Sequence, residues 1–149
     1  VTDASIWSEV VYTIGYSGQT HESLLVAIRG LVRVIDVRSR ANSRRPEFRK
    51  QALRQALIQA GIQYEHCPAM GADAPPLVMA QAVEAFIRGL RTSVPFERTC
   101  LLCLEHYPED CHRSYLLEPY FRLHDMRLSH LLPLSPRELA EQRLTGDNS

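Results

Sequence analysis

Cys100-Leu101-Leu102-Cys103-Leu104 is an unbroken apolar run, and the chain turns polar directly after it, through Glu105-His106-Tyr107-Pro108-Glu109-Asp110-Cys111-His112-Arg113. A strand that is apolar on both faces is the mark of a central parallel strand covered by helices on either side. A strand with one wet face would alternate instead. Residues 111–123 then read as a helix, in which Pro119 should kink or interrupt the hydrogen-bond ladder. A buried strand that hands over to a helix is the unit of an α/β fold.

The same unit recurs outward from this point. Residues 10–14 are a short apolar run stopped by Gly15, which suits a buried strand opening into a tight loop. Residues 21–29 follow with Leu24, Leu25 and Ile28 on one helical face, Thr20 able to cap the start and Gly30 able to end it in the left-handed conformation. A second strand is expected over 32–37. After the loop 38–45, Pro46 is a good first-turn residue, and Phe48, Ala52, Leu53, Ala56 and Leu57 keep helical spacing up to Gly61. Residues 62–66 alternate as a third strand, and a Pro- and Gly-rich loop leads to a helix over 77–91 through Val83, Phe86, Ile87 and Leu90. Downstream, 128–132 makes a fifth strand and 136–144 a closing helix, with a frayed tail over 145–149.

This pattern predicts a single domain over 1–149, with a core at about 10–132 and a C-terminal helix and tail at 135–149. Its fold is α/β and three-layered, Rossmann-like or flavodoxin-like: a mostly parallel sheet of about five strands with helices on both faces and right-handed crossovers. The carboxyl ends of parallel strands share one edge, and ligands bind there. The loops at 15–17, 36–45, 67–71 and 103–113 should therefore converge.

Composition narrows the setting. The 149 residues suit one domain. Basic and acidic residues balance at 17 each, so no global field supports nucleic-acid binding, and anion binding has to come from a local cluster. No stretch approaches the roughly 18 apolar residues of a membrane span, and residues 1–9 are too polar for a signal peptide. These features predict a soluble, cytoplasmic protein with no membrane partner. In a reducing compartment the four cysteines, Cys67, Cys100, Cys103 and Cys111, are expected as free thiols. Cys100 and Cys103 formally match CxxC, but residues three apart on a strand point to opposite faces and should not meet. Cys100 and Cys67 read as small core hydrophobes. His66 and His130 read as packed or solvated.

Chemistry concentrates at 103–113. A helix start presents free N–H groups and a partial positive charge, which can hold an anion and depress a thiol pKa. Cys111 and Arg113 are expected there, with Cys103 and Glu105 on one side of the strand end. At these residues the chain resembles the domain-of-unknown-function family DUF488. The motifs that carry the resemblance are Thr13-Ile14-Gly15-Tyr16-Ser17, Asp36-Val37-Arg38, Ser43-Arg44-Arg45-Pro46-Glu47-Phe48, and Cys103-Leu104-Glu105 running to Cys111-His112-Arg113. The resemblance implies a small α/β domain with a site built on these motifs. Met70-Gly71-Ala72 stands where the family tends to have Leu-Gly-Gly, and the aromatic-rich insertion after it is much shorter, so substrate-side recognition is expected to differ from that of relatives.

Three functions compete. The first is an enzyme on a phosphate-bearing or otherwise anionic substrate, with nucleotides and nucleic acids among the candidates. Gly15, Tyr16 and Ser17 would approach the ligand, Arg38, Arg44, Arg45 and Arg113 would bind its charge, and Asp36, Glu105 or His112 would move protons. The second is thiol, sulfur-transfer or redox chemistry at Cys103 or Cys111. The Asp-Val-Arg after the second strand is similar to that of rhodanese domains, although Cys103 and Arg113 are too far apart, and Cys111 and Arg113 too close, for a short anion cradle between Cys and Arg. The third is a binding module using residues 38–50 on nucleic acid or protein. Plainer readings stand beside each: a pairing of Asp36 and Arg38 with each other or with a helix end, and a solvated helix face of Arg40, Arg44, Arg45, Arg49, Lys50 and Arg54. The loop Gly15-Tyr16-Ser17-Gly18 lacks GxGxxG, so no dinucleotide cofactor is expected. Cys103, Cys111 and His112 are too few to hold a metal, and none is expected.

Overall fold

A computed structural model describes residues 9–93, 96–133, 137, 138, 140, 141 and 144. Five strands, β1 (Val10–Gly15), β2 (Arg33–Asp36), β3 (Gln63–His66), β4 (Thr99–Cys103) and β5 (Arg127–His130), form one all-parallel sheet in the order β3-β2-β4-β1-β5. Every residue of β4 is buried, as its apolar run requires at the centre of a covered sheet. Alternate residues of β2 and β4 serve two separate cores. Ile35, Leu101 and Cys103 face a layer built on α3 (Pro76–Thr92) and α4 (Glu118–Leu123). Val34, Cys100 and Leu102 face α1 (His21–Ala27) and α2 (Lys50–Gln59). Cys100 and Cys103 thus lie in opposite layers, as the period of two demands. Among the described residues no helix is long and apolar enough to cross a membrane.

Local signals place the helices. Thr20 caps α1 with a reciprocal Thr20–Ser23 capping box, and Gly30 follows with φ of +89°. Two expected helices differ. The one expected from Pro46 splits into a 3₁₀ turn, Pro46–Phe48, and α2, because Arg49 between them is extended. That turn buries Phe48 flat against Tyr16, with ring centroids 4.4 Å apart. The one expected from Cys111 starts only at Arg113 and opens with a π-helical turn, Arg113–Leu117, before α4. Pro119 has no N–H, and its ring would strike the carbonyl four residues back. The turn before it widens, and the Glu118 N–H donates to the Arg113 carbonyl. Cys111 itself is extended and precedes the helix. The closing helix expected over 136–144 lies largely outside the described residues.

The chain leaves β2 towards β3 and leaves β4 towards β5, on opposite sides. The carboxyl ends of β2 and β4 therefore flank a crevice, the usual ligand position in an open parallel sheet.

Candidate functional site

At that crevice lies a cleft of about 210 Å³ lined by residues from three of the four converging loops, among them Tyr16, Arg38, Arg40, Cys103 and Glu105, and by Ala72 just past the end of the fourth. This is below the roughly 300 Å³ at which drug-sized ligand pockets begin, so it suits a small molecule or the tip of a larger one.

Three side-chain systems build its walls. In the first, the fully buried Asp36 carboxylate accepts from Arg38 Nε at 2.8 Å, Arg38 NH2 at 2.6 Å and the Tyr64 hydroxyl at 2.6 Å. Arg38 NH1 donates to the Asn42 and Phe48 carbonyls, and the guanidinium lies 5.2 Å from the Tyr16 ring centroid. Asp36 and Arg38 do pair with each other, and together they tie the β2 loop to the aromatic floor. Burial, then the Asp36 charge, pushes the Tyr64 hydroxyl up.

The second system joins the loops after β2 and β3. The Asp73 N–H donates to Ser39 Oγ at 3.0 Å, and a Cβ on Gly71 would come within 2.6 Å of the same oxygen. His66 Nε2 bonds the Arg38 carbonyl at 2.7 Å.

The third system is the thiol pair. Cys103 Sγ and Cys111 Sγ are 2.8 Å apart, both are free, and both are 1% exposed. Arg113, with no exposed surface, donates from NH1 to Cys103 Sγ and to the Glu105 carbonyl, each at 2.6 Å, and from NH2 to the His106 carbonyl at 2.8 Å. No carboxylate bonds this guanidinium among the described residues, and its Nε is buried without a partner. A buried cation needs a counter-charge, and a sulfur is the group placed to supply it. On the other side, His112 Nε2–H donates to the Met70 carbonyl at 3.1 Å and turns Nδ1 towards Cys111 Sγ at 3.6 Å.

The two thiols consequently share a proton. The Cys103 hydrogen bond holds Cys111 well below the ordinary thiol range, helped by His112 and the Arg113 amide against burial. The same hydrogen bond and burial push Cys103 up, opposed by Arg113. Such a pair titrates as a unit. Burial lowers the His112 pKa, but the Cys111 sulfur outweighs it and the net shift is upward. Burial, with the Cys111 charge, raises Glu105. A Glu105 oxygen and both sulfurs lie within 4.8 Å of one another, a set of possible metal donors that the sequence reading, with His112 in place of Glu105, did not assemble. Arg113 already brings positive charge to Cys103.

Gly15 is the hinge of this arrangement. A Cβ there would lie 1.6 Å from the Glu105 carbonyl oxygen, the same oxygen that accepts from Arg113. The close approach Gly15 permits is to the β4 loop. Alanine for an ordinary strand glycine gains roughly 0.5 to 1 kcal/mol. Gly15→Ala is expected to lose about 1 to 3 kcal/mol instead, because the loop must move and drags Arg113 with it. Chemical denaturation measures the sign.

A pH dependence follows from the thiol. A depressed folded pKa contributes stability that is full above the unfolded thiol value of ~8.5 and is lost as pH falls towards the folded value. The wild-type advantage over Cys111→Ser should therefore shrink as pH drops below ~8.5, by at most about 1.4 kcal/mol per unit. His112 acts in the opposite sense. Its raised pKa contributes stability that is full below the ordinary value of ~6.5 and is lost as pH rises through the folded value. His112→Asn should steepen the rise of stability with pH between ~6.5 and the folded value. Denaturant titrations at several pH values check both.

Of the other residues singled out in the sequence, Ser17 and Arg44 are exposed and do not line the cleft, and Arg45 pairs with Glu47 over the Phe48 ring. His130 bonds Thr13 and Glu118 away from the cleft. Tyr64, Ser39, Asn42 and the Met70 carbonyl went unnoticed in the sequence. The only signal for Tyr64 is its register beside Val34, two residues before the Asp36–His66 pair.

The family described as Domain of unknown function DUF488 matches residues 25–81, a span that holds Asp36-Val37-Arg38 and the basic loop. No curated protein and no solved structure matches the chain.

Proposed function

We propose that this protein is an enzyme acting on a small anionic substrate, with Cys103 as the nucleophile. The observation that carries the reading is the contact between Arg113 and Cys103 Sγ at the floor of the cleft, where a buried guanidinium with no carboxylate favours a thiolate. Cys103 carries the shared proton at rest, and its transfer across the 2.8 Å contact to Cys111 leaves the negative charge on Cys103, beside Arg113. Glu105, raised by burial, is suited to protonate a leaving group. Asp36 positions Arg38, and Arg38 and Arg40 give the cleft its positive lip for phosphate, carboxylate or sulfonate.

The test compares two alkylating reagents of equal size, anionic iodoacetate and neutral iodoacetamide, with peptide mapping. An anion site at the cleft should favour iodoacetate at Cys103 by on the order of tenfold, the effect of about 1.4 kcal/mol of charge attraction. Arg40→Ala should remove that preference. A Cys103 that resists both reagents, or prefers the neutral one, defeats the reading.

A non-catalytic reading draws support from the exposure of Arg40, Arg44, Arg49, Lys50 and Arg54 along one stretch. It predicts salt-sensitive binding to single-stranded nucleic acid with Cys103→Ser binding as wild type.

A further inference from the structure

Resting on Cys103 as the sulfur that meets substrate, we infer that Cys111 is its resolving thiol and that the enzyme exchanges thiols and disulfides on small anionic sulfur compounds. Four observations converge on this. The sulfurs are 2.8 Å apart, so closing the bond of about 2.05 Å moves them by less than about 1 Å. They come from different elements, the end of β4 and the extended residue ahead of the π turn, so neither is held by the other's backbone. Cys103 lines the cleft whereas Cys111 does not, which separates the attacking sulfur from the resolving one. Finally, the guanidinium is aimed at one sulfur and the imidazole at the other. Two cysteines that merely filled space would need neither.

The steps balance. The Cys103 thiolate attacks one sulfur of the substrate disulfide, forming a Cys103 mixed disulfide and expelling the first thiolate, which takes a proton from Glu105 or solvent. Cys111 then gives up its proton to His112 Nδ1 and attacks Cys103 Sγ, forming the Cys103–Cys111 disulfide and expelling the second thiolate. The protein loses two electrons and the substrate gains them. A reducing dithiol resets the pair by the same exchange run backward, and Arg113 assists because it stabilises Cys103 as the departing thiolate.

The test uses the reduced full chain and the disulfide of mercaptopropionate, a small dianion. Wild type should release two thiols per disulfide consumed and become lighter by two hydrogens, with the bond mapped to Cys103 and Cys111. Cys111→Ser should release half as much and carry the mercaptopropionate on Cys103, and Cys111→Ala repeats the measurement if serine unfolds the site. Cys103→Ser should show no adduct on Cys111. If wild type keeps the adduct on Cys103, resolution by Cys111 is overturned while the nucleophile assignment stands. If Cys111→Ser carries no adduct on Cys103, the nucleophile assignment itself falls.

Discussion

Arg113→Ala is expected to cost about 3 to 5 kcal/mol, the penalty for removing one partner of a buried charged network. In a chain of this size each kcal/mol moves the melting temperature by about 2 to 4 °C, so the drop should be on the order of 10 °C. The loss has two parts. The Glu105 and His106 carbonyls lose their donor, and the loop after β4 loses its only described tie to the π turn through a side chain. The sulfurs lose their counter-charge as well, so the ultraviolet absorbance of the thiolate at neutral pH should fall with stability. Arg113→Lys separates the two, since lysine keeps the charge but cannot reach Cys103 and both carbonyls together. It should retain much of the thiolate signal and recover only part of the stability. A variant with alanine at 113 that melts like wild type and keeps its thiolate would remove Arg113 from the centre of the site.

Asp36→Ala should be comparably damaging, at roughly 3 to 5 kcal/mol, because it leaves the Arg38 guanidinium 7% exposed with no anionic partner. The effect should spread. Arg38 spans the Asn42 and Phe48 carbonyls and the Tyr16 ring, so its release loosens the β2 loop, and that loop forms one wall of the cleft. Asp36→Asn keeps the volume and one acceptor and should lose less. Thermal melts order the three proteins, and the iodoacetate preference at Cys103 reports the wall: it should weaken in Asp36→Ala even at temperatures where that variant is folded. An undiminished preference there would mean that Arg38 does not shape the cleft.

Each of these effects begins in a residue that is conspicuous in the sequence, yet several of the groups it touches are not. Asp36 and Arg38 are neighbours in the chain, so their pairing was legible. Tyr64, the third member, sits on another strand and joins them only because β3 lies parallel to β2 in register. Arg113 stood out as a charge beside a helix start, and the structure buries it completely. Its donors are bonded to Cys103 and to two carbonyls, so an anion meeting Arg113 would first have to displace them. Gly15 was read as room for a ligand, and the structure fills that room with the Glu105 carbonyl.

Local patterning by itself determined the five strands, their parallel arrangement, the two-faced burial of β4, and the single edge on which the loops after β1, β2, β3 and β4 meet. These depend on period and on turn chemistry, which a few adjacent residues encode. It also separated Cys100 from Cys103, since two faces of one strand follow from spacing alone. Only the tertiary structure decided that Cys103 and Cys111 touch, that Arg113 neutralises them, and that Asp36 holds Tyr64. The reason is physical. Hydrogen-bond partners and burial belong to pairs of residues brought together by strand order and by the path of an irregular loop, and the proton that the two sulfurs share is a property of their separation, which no single position in the chain carries.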